Sequence, residues 1–293
     1  MKSDFEKKYK IKGKISEGAF GQIYIIEDKR VKTEYVLKKI KKKDKEGVAS
    51  IGFEDFEKEI VNLKEIKGAN IINIIDYDYD DNFYYIVFEK MDGDLYKLLE
   101  EEYKNGMSSN MIRKIFKQLN SALFILYKKK ICHRDLKPEN ILYSYINYDK
   151  TDFVVKLADF GLSTKLSDKS EYRTKDRGTL YYRAPEVEVG VEKAKYSNKC
   201  DLYSIGVILY KLKTGELIFV GNKLDEIINN KKNEKLKKKT DDDKLNNLIS
   251  KLVVNDPYKR LNWMDYFNHP FFKENDNNNQ KGKNNFNLKI IIK

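Results

Sequence analysis

The apolar positions change period along the chain. From Ile11 to about Val87, short β-branched and aromatic runs dominate, punctuated by glycine. Lys12–Tyr24 and Tyr35–Ile40 read as strands, and Tyr84–Phe88 as a short buried one. Between them Phe56, Ile60, Leu63 and Lys67 recur at helical spacing behind several acids, which predicts a helix over 54–67. After Met91-Asp-Gly-Asp94 the period becomes helical. Ile115, Leu119, Ala122, Leu123 and Leu126 build an amphipathic helix over 111–129, and similar patterns follow at 199–213 and 244–254. A small β-rich part therefore precedes a larger α-rich part, with the joint near 89–93. A second half poor in strands argues against one doubly wound sheet and for an α+β chain. Residues 1–10 read as a charged lead-in and 273–293 as an Asn- and Lys-rich tail of low complexity.

Composition narrows the class. The 293 residues are 41% hydrophobic and 35% charged, with four prolines. That suits a buried core and excludes bulk disorder or a collagen-like chain. Cys132 and Cys200 are the two cysteines, too few for a disulfide scaffold or a zinc cage, so a reducing intracellular compartment is expected. No apolar run is long enough to span a bilayer, and the charged N-terminus is unlike a secretory signal. The net charge of +12 raises the question of nucleic acid. However, 51 of the 58 basic residues are lysine and they are spread along the chain, whereas base and phosphate readers favour arginine. The clusters at 38–45 and 235–239 read as solvated surface, with nuclear targeting or polyanion binding as the alternative, and no specific nucleic-acid partner is expected.

Candidate chemistry begins at Gly18-Ala-Phe-Gly21, between Ile15 and Ile23 in a strand-turn-strand context. Glycines there let backbone N–H groups approach a phosphate, although an ordinary hairpin has the same pattern. In Tyr35-Val-Leu-Lys38, the alternation puts Val36, Lys38 and Ile40 on one face, so a lysine stands where an apolar residue belongs. A buried lysine needs an anionic partner, and Glu59, one turn before Leu63, can supply it. Further on come His133-Arg-Asp-Leu-Lys-Pro-Glu-Asn140, then Asp159-Phe-Gly161, then Arg183-Ala-Pro-Glu186. In this order and spacing they resemble the catalytic loop, metal-binding loop and activation-segment end of the eukaryotic protein kinase family, serine/threonine branch. The resemblance covers roughly residues 9–272.

The resemblance implies a bilobal kinase fold. Its N-lobe would span 11–88, its hinge 89–93 and its C-lobe 94–272. It implies ATP and Mg²⁺ as cofactors and protein Ser/Thr hydroxyls as substrate. Gly18 and Gly21 correspond to glycines of the phosphate-covering loop, and Lys38 to the lysine on the α- and β-phosphates, with Glu59 as its helix partner. Ile15 and Ile23 would contact ATP, Val36 would border the adenine pocket and Leu142 form its floor, Phe88 would be the gatekeeper, and the Glu89 and Met91 backbone would bond the base. Asp135 corresponds to the catalytic base and Lys137 to the phosphoryl-stabilising lysine. Asn140 and Asp159 would hold the metal. Glu186 and Arg260 would form a buried pair anchoring the activation segment. His133 is expected to pack with Leu63, Ile74 and Phe160 as a structural residue, and Cys132 to be small and buried. Lys137 and Thr179 mark the Ser/Thr branch. Asp94 and Glu139 suggest a mild preference for basic substrates, and Asp94 also borders the nucleotide site. Thr174 is the expected activation-loop phosphosite, with Arg134 to receive its phosphate, although the often basic position five after Asp159 is Thr164.

Departures from the family pattern are Ser16 for the first loop glycine, Val36 for a smaller residue, Tyr203 for a common tryptophan, and a longer stretch between Asn140 and Asp159. The short span from Asp201 to Arg260 leans weakly toward a calmodulin-dependent-like grouping, and no EF-hand motif follows. A monomer in the cytoplasm or nucleus, acted on by an activating kinase or regulatory partner, is the expected setting.

Overall fold

The computed structural model describes residues 5–18, 21–42, 53–161, 163–165, 180–188, 198–221, 224–233 and 239–273. A short helix, α1 (Phe5–Lys8), runs straight into an antiparallel sheet. Its strands are β1 (Tyr9–Gly18), β2 (Gly21–Asp28), β3 (Glu34–Lys41), β4 (Ile74–Tyr79) and β5 (Phe83–Glu89), in spatial order β1-β2-β3-β5-β4. Helix α2 (Phe53–Glu65) lies on one face, where Phe56 and Ile60 pack with Ile40, Tyr84 and Ile86. Phe5 and Tyr9 close the other face against Ile26, Leu37, Tyr85 and Val87, with the Phe5 and Tyr85 rings stacked at 4.7 Å. Part of the stretch read as a lead-in is therefore structural. Its signal was Phe5 and Tyr9, two aromatics one helical turn apart among charges.

Strand alternation explains the lysine of β3. Leu37 faces the Phe5 cluster, while Lys38 and Ile40 face α2. Register is continuous, with Lys38 opposite Ile23 on one side and Ile86 on the other. Strand β5 ends at Glu89, and the chain crosses to β6 (Gly93–Asp94) in three residues.

Beyond this crossing the fold is helical around two small sheets. Helices α3 (Leu95–Glu102) and α4 (Ser109–Lys128) start at side-chain caps: Asp94 accepts from Lys97 N at 2.9 Å and Ser108 from Met111 N at 3.2 Å. Strand β7 (Ile131–Cys132) leads into the catalytic-loop motif. Strands β8 (Ile141–Tyr145) and β9 (Phe153–Leu157) follow it and join β6 in the order β6-β8-β9, while β10 (Thr164–Lys165) pairs with β7. Next come α5 (Pro185–Glu188), α6 (Lys199–Thr214), α7 (Leu224–Asn233), α8 (Asp243–Leu252) and α9 (Trp263–Phe267). Helix α6 is buried all round from Cys200 to Leu212, which makes it the central strut. Gly206 lets α8 pass, since a Cβ there would stand 2.8 Å from that of Leu252. This α+β architecture in two parts is the one the sequence implied.

The two parts are stitched behind the crossing. Ile72 N donates to Leu157 O and Leu157 N to Asn70 O, each at 2.9 Å. Lys156 of β9 bonds both Glu89 carboxylate oxygens, at 2.6 and 2.8 Å. The Glu89 side chain, which also accepts from Asn73 N, is thus a brace, and only its backbone is left for the hinge role expected of it.

Candidate active site

Two groups of charged side chains meet between the sheet and the helical part. In the first, Lys38 Nζ lies 3.2 Å from Glu59 Oε1 and 2.9 Å from Asp159 Oδ1. Lys38 and Glu59 are almost wholly buried, whereas a third of the Asp159 side chain stays open. Burial alone would lower the Lys38 pKa, but the carboxylates of Asp159 and Glu59 more than offset it and hold the ammonium charged. Burial pushes the Glu59 carboxyl up, with Lys38 opposing. Asp159 goes the other way: against its own desolvation, Lys38 lowers it to about 2. Its backbone is left-handed, with φ of 59°. Gly161 leaves room beside it, since a Cβ there would reach within 3.3 Å of Lys38 Nζ.

The second group stands on the loop after β7. Lys137 Nζ is 3.2 Å from Asp135 Oδ2, and Asn140 Nδ2 donates to the same oxygen at 3.0 Å and to Asp135 O at 2.8 Å. Burial would lower the Lys137 pKa, and Asp135 beside it raises it instead. The other Asp135 oxygen, Oδ1, is buried with no hydrogen-bond partner. A carboxylate held through one oxygen keeps the second as an open hydrogen-bond acceptor. Ala158 N, beside Asp159, donates to Asn140 O at 2.9 Å, which ties the two groups together.

The loop is hung from α6. Asp201, buried in that helix, accepts from His133 N at 2.7 Å and Arg134 N at 2.9 Å. Arg134 is left-handed at φ 65°, a conformation that such anchoring must hold. Sequence reasoning gave Asp201 no role, although an acid inside an otherwise apolar helical run was a usable signal. His133 is fully buried: its Nε2 meets Ala158 O at 3.0 Å and its ring lies edge-on to Phe160 at 4.9 Å. Cys132 and Cys200 are buried with sulfurs 3.2 Å apart, and their mutual hydrogen bond and burial push the Cys132 thiol well up.

The residues expected at the nucleotide site lie on β1, β2, β3, the crossing after β5, β6 and β8. Gly18 and Gly21 face each other across the β1–β2 turn, whose tip lies outside the described residues. Gly21 has φ of 128° and a Cβ there would stand 2.5 Å from Lys39 O, so only glycine fits. Ile23 and Val36 are half-buried on β2 and β3, and Phe88, Met91 and Leu142 pack against the main core across the crossing. Ile15 is 45% exposed at the rim. Asp94 is spent largely on capping α3, and burial raises its pKa. Arg260 holds Glu186 through two bonds, at 2.7 and 3.0 Å. Thr174 and Thr179 lie outside the described residues.

The Asp159 shift carries a pH prediction. A depressed carboxylate stabilises the fold above its unfolded pKa, near 3.8, and loses that contribution as pH falls through about 2. Asparagine mimics the protonated form. The gap in urea midpoint between wild type and Asp159→Asn should therefore be largest above about pH 5 and narrow steadily toward pH 3. A gap independent of pH would show that Asp159 is not held ionised by Lys38.

Residues 9–272 match the family model of the protein kinase domain. Calcium-dependent protein kinase 3 of Plasmodium yoelii yoelii is 32% identical over 286 residues, 95% of this chain and 49% of that protein. Calcium-dependent protein kinase 4 of Plasmodium falciparum is 33% identical over 283 residues, 92% of this chain and 50% of that protein. Serine/threonine-protein kinase 36 of Mus musculus is 30% identical over 265 residues, 90% of this chain and 19% of that protein. The chain spans about half the length of the two Plasmodium relatives. With the family model matched from residue 9 to residue 272, the chain belongs to the protein kinase domain family.

Proposed function

We propose that the chain is a serine/threonine protein kinase, transferring the γ-phosphate of ATP to Ser or Thr hydroxyls of proteins. The observation that carries this is the uncommitted, buried Oδ1 of Asp135 beside a charged Lys137, within the field of the Lys38–Glu59–Asp159 group. Phosphoryl transfer asks mainly for positioning and charge neutralisation. Lys38 supplies a fixed positive charge for the nucleotide phosphates and Asp135 takes the hydroxyl proton at Oδ1. Lys137 steadies the transferred group. The donor set suits Mg²⁺: Asn140 spends its amide N–H on Asp135, leaving Oδ1 as a ligand, and Asp159 is ionised with one oxygen beyond its Lys38 bond. Mg²⁺ bound there would neutralise phosphate charge.

Glu139 favours basic substrates. Its Oε2 is buried without a hydrogen-bond partner, and burial raises its pKa. A cationic residue upstream of the acceptor would relieve both. Phosphorylation of Thr174 by an activating kinase, with Arg134 receiving the phosphate, extends the reading, as does a monomer working in the cytoplasm or nucleus. Among the described residues no helix is long and apolar enough to cross a membrane.

The test is transfer from labelled ATP, with Mg²⁺, to a basic Ser-containing peptide by wild type and Asp135→Asn side by side. Wild type should label the peptide, and the variant should be slower by about 10²–10⁴-fold. Equal rates, or nucleotide binding without transfer by wild type, would overturn the proposal.

A further inference from the structure

Lys231 is the second cation buried beneath the end of the activation segment. It lies on α7, one turn after the buried Ile227, and is 1% exposed. Its Nζ donates to Leu180 O and, at 2.9 Å, to Arg183 O. Its own carbonyl accepts from Asn255 Nδ2 at 2.9 Å, beside Val254, whose carbonyl Arg260 holds. An ammonium is costly to bury and stays only where acceptors are fixed for it. The acceptors here are carbonyls of a tight turn, in which Arg183 N donates to Leu180 O at 3.3 Å. That turn carries Tyr182, whose hydroxyl is pushed up by burial and by the nearby charge of Glu139. Tyr182 thus lies within reach of the charge of Glu139, which stands two residues after Lys137. One buried cation, Arg260, pins the segment at Glu186. The other pins it at the turn.

Resting on the kinase reading above, we propose that Lys231 is a positioning residue for the protein substrate: it fixes the 180–183 turn as the wall beside Asp135 and Lys137 against which the acceptor segment lies. The described bonds go to backbone carbonyls of the turn, Leu180 O and Arg183 O, neither of them on a residue assigned to the nucleotide. Loosening them should misplace the acceptor and leave ATP alone. A solvated reading of this lysine-rich helix hides such a role, because in the sequence Lys231 is one of a Lys-Lys pair like many others.

The experiment uses the full 293-residue chain and a basic Ser-containing peptide, with Lys231→Met, which keeps the length and removes the charge. Asn229→Ala, exposed on the same helix, is the control. Three readouts are taken: KM for peptide, KM for ATP, and ATP turnover with water as acceptor. Losing a charged donor to two carbonyls should raise the peptide KM by about tenfold or more. The KM for ATP and the turnover to water should stay within about twofold of wild type. An unchanged peptide KM in a variant that still turns over ATP overturns the proposal. So does a fall in kcat with both KM values unchanged. If Lys231→Met loses ATP turnover too, Lys231→Gln, which keeps an N–H donor, replaces it with the same split expected. Loss of turnover in both assigns Lys231 to stability alone and overturns the positioning role. Wild type that binds ATP and labels no peptide fails the kinase reading itself, and this inference with it.

Discussion

Lys38→Met should reduce phosphate transfer by at least about 10³-fold while costing about 2–4 kcal/mol of stability. Both effects follow from one geometry. On the proposed reading the ammonium is the fixed charge of the site, so its loss would remove an interaction that strengthens as charge develops on the transferred group. It is also the sole cation within salt-bridge distance of Glu59 among the described residues, and Glu59 is buried. Without Lys38, Glu59 must either stay charged in an apolar setting or take a proton, a change that burial already favours. Asp159, a third exposed, can turn to water instead. The two losses should therefore separate. Adding Glu59→Gln to Lys38→Met should restore most of the stability, read as the urea midpoint, and none of the activity. Recovery of activity would show that Lys38 serves structure alone. A double variant as unstable as the single would mean that the penalty comes from packing and not from the stranded carboxylate.

Much of this was legible from sequence because strand alternation and motif order are local. Val36, Lys38 and Ile40 on one face already required an anion, and Glu59 lay at the right helical phase to provide it. The catalytic-loop residues sit within eight positions of one another, so their proximity hardly depended on the fold. What stayed hidden depends on long-range packing. Asp201 meets His133 and Arg134 across 68 and 67 positions. Lys231 meets the 180–183 turn from a helix whose composition looks like surface. Glu89 appeared to be only a hinge residue, and its pairing with Lys156 needs the closure of β9 on β5. The strand begun at Tyr9 was missed because charges around Phe5 and Tyr9 masked their spacing. In each case the sequence held the residue type but nothing in its neighbourhood said what it would meet.

Arg260→Met should cost about 3–5 kcal/mol, enough to lower Tm by about 10 °C in a domain of this size. Its guanidinium, fully enclosed, bonds Glu186 through both nitrogens and also donates to Val254 O, at 3.0 and 2.8 Å, and to Lys199 O, at 2.7 Å. The ring of Tyr203 lies 5.1 Å away, so an aromatic face adds to the enclosure. Arg260 is therefore the hub joining the loop before α9, the start of α6 and the end of the activation segment. A simple buried ion pair can often be replaced by matched apolar residues with little loss. This one should not be, because two backbone carbonyls depend on the same group and methionine cannot serve them. Arg260→Met combined with Glu186→Leu should accordingly recover only the part owed to the stranded carboxylate, leaving the variant well below wild type. Glu186→Gln alone should be the mildest of the three, since an amide oxygen still accepts from the guanidinium. Thermal unfolding of the four proteins orders them directly. Full recovery in the double variant would reduce Arg260 to half of an ion pair and remove its role as the hub.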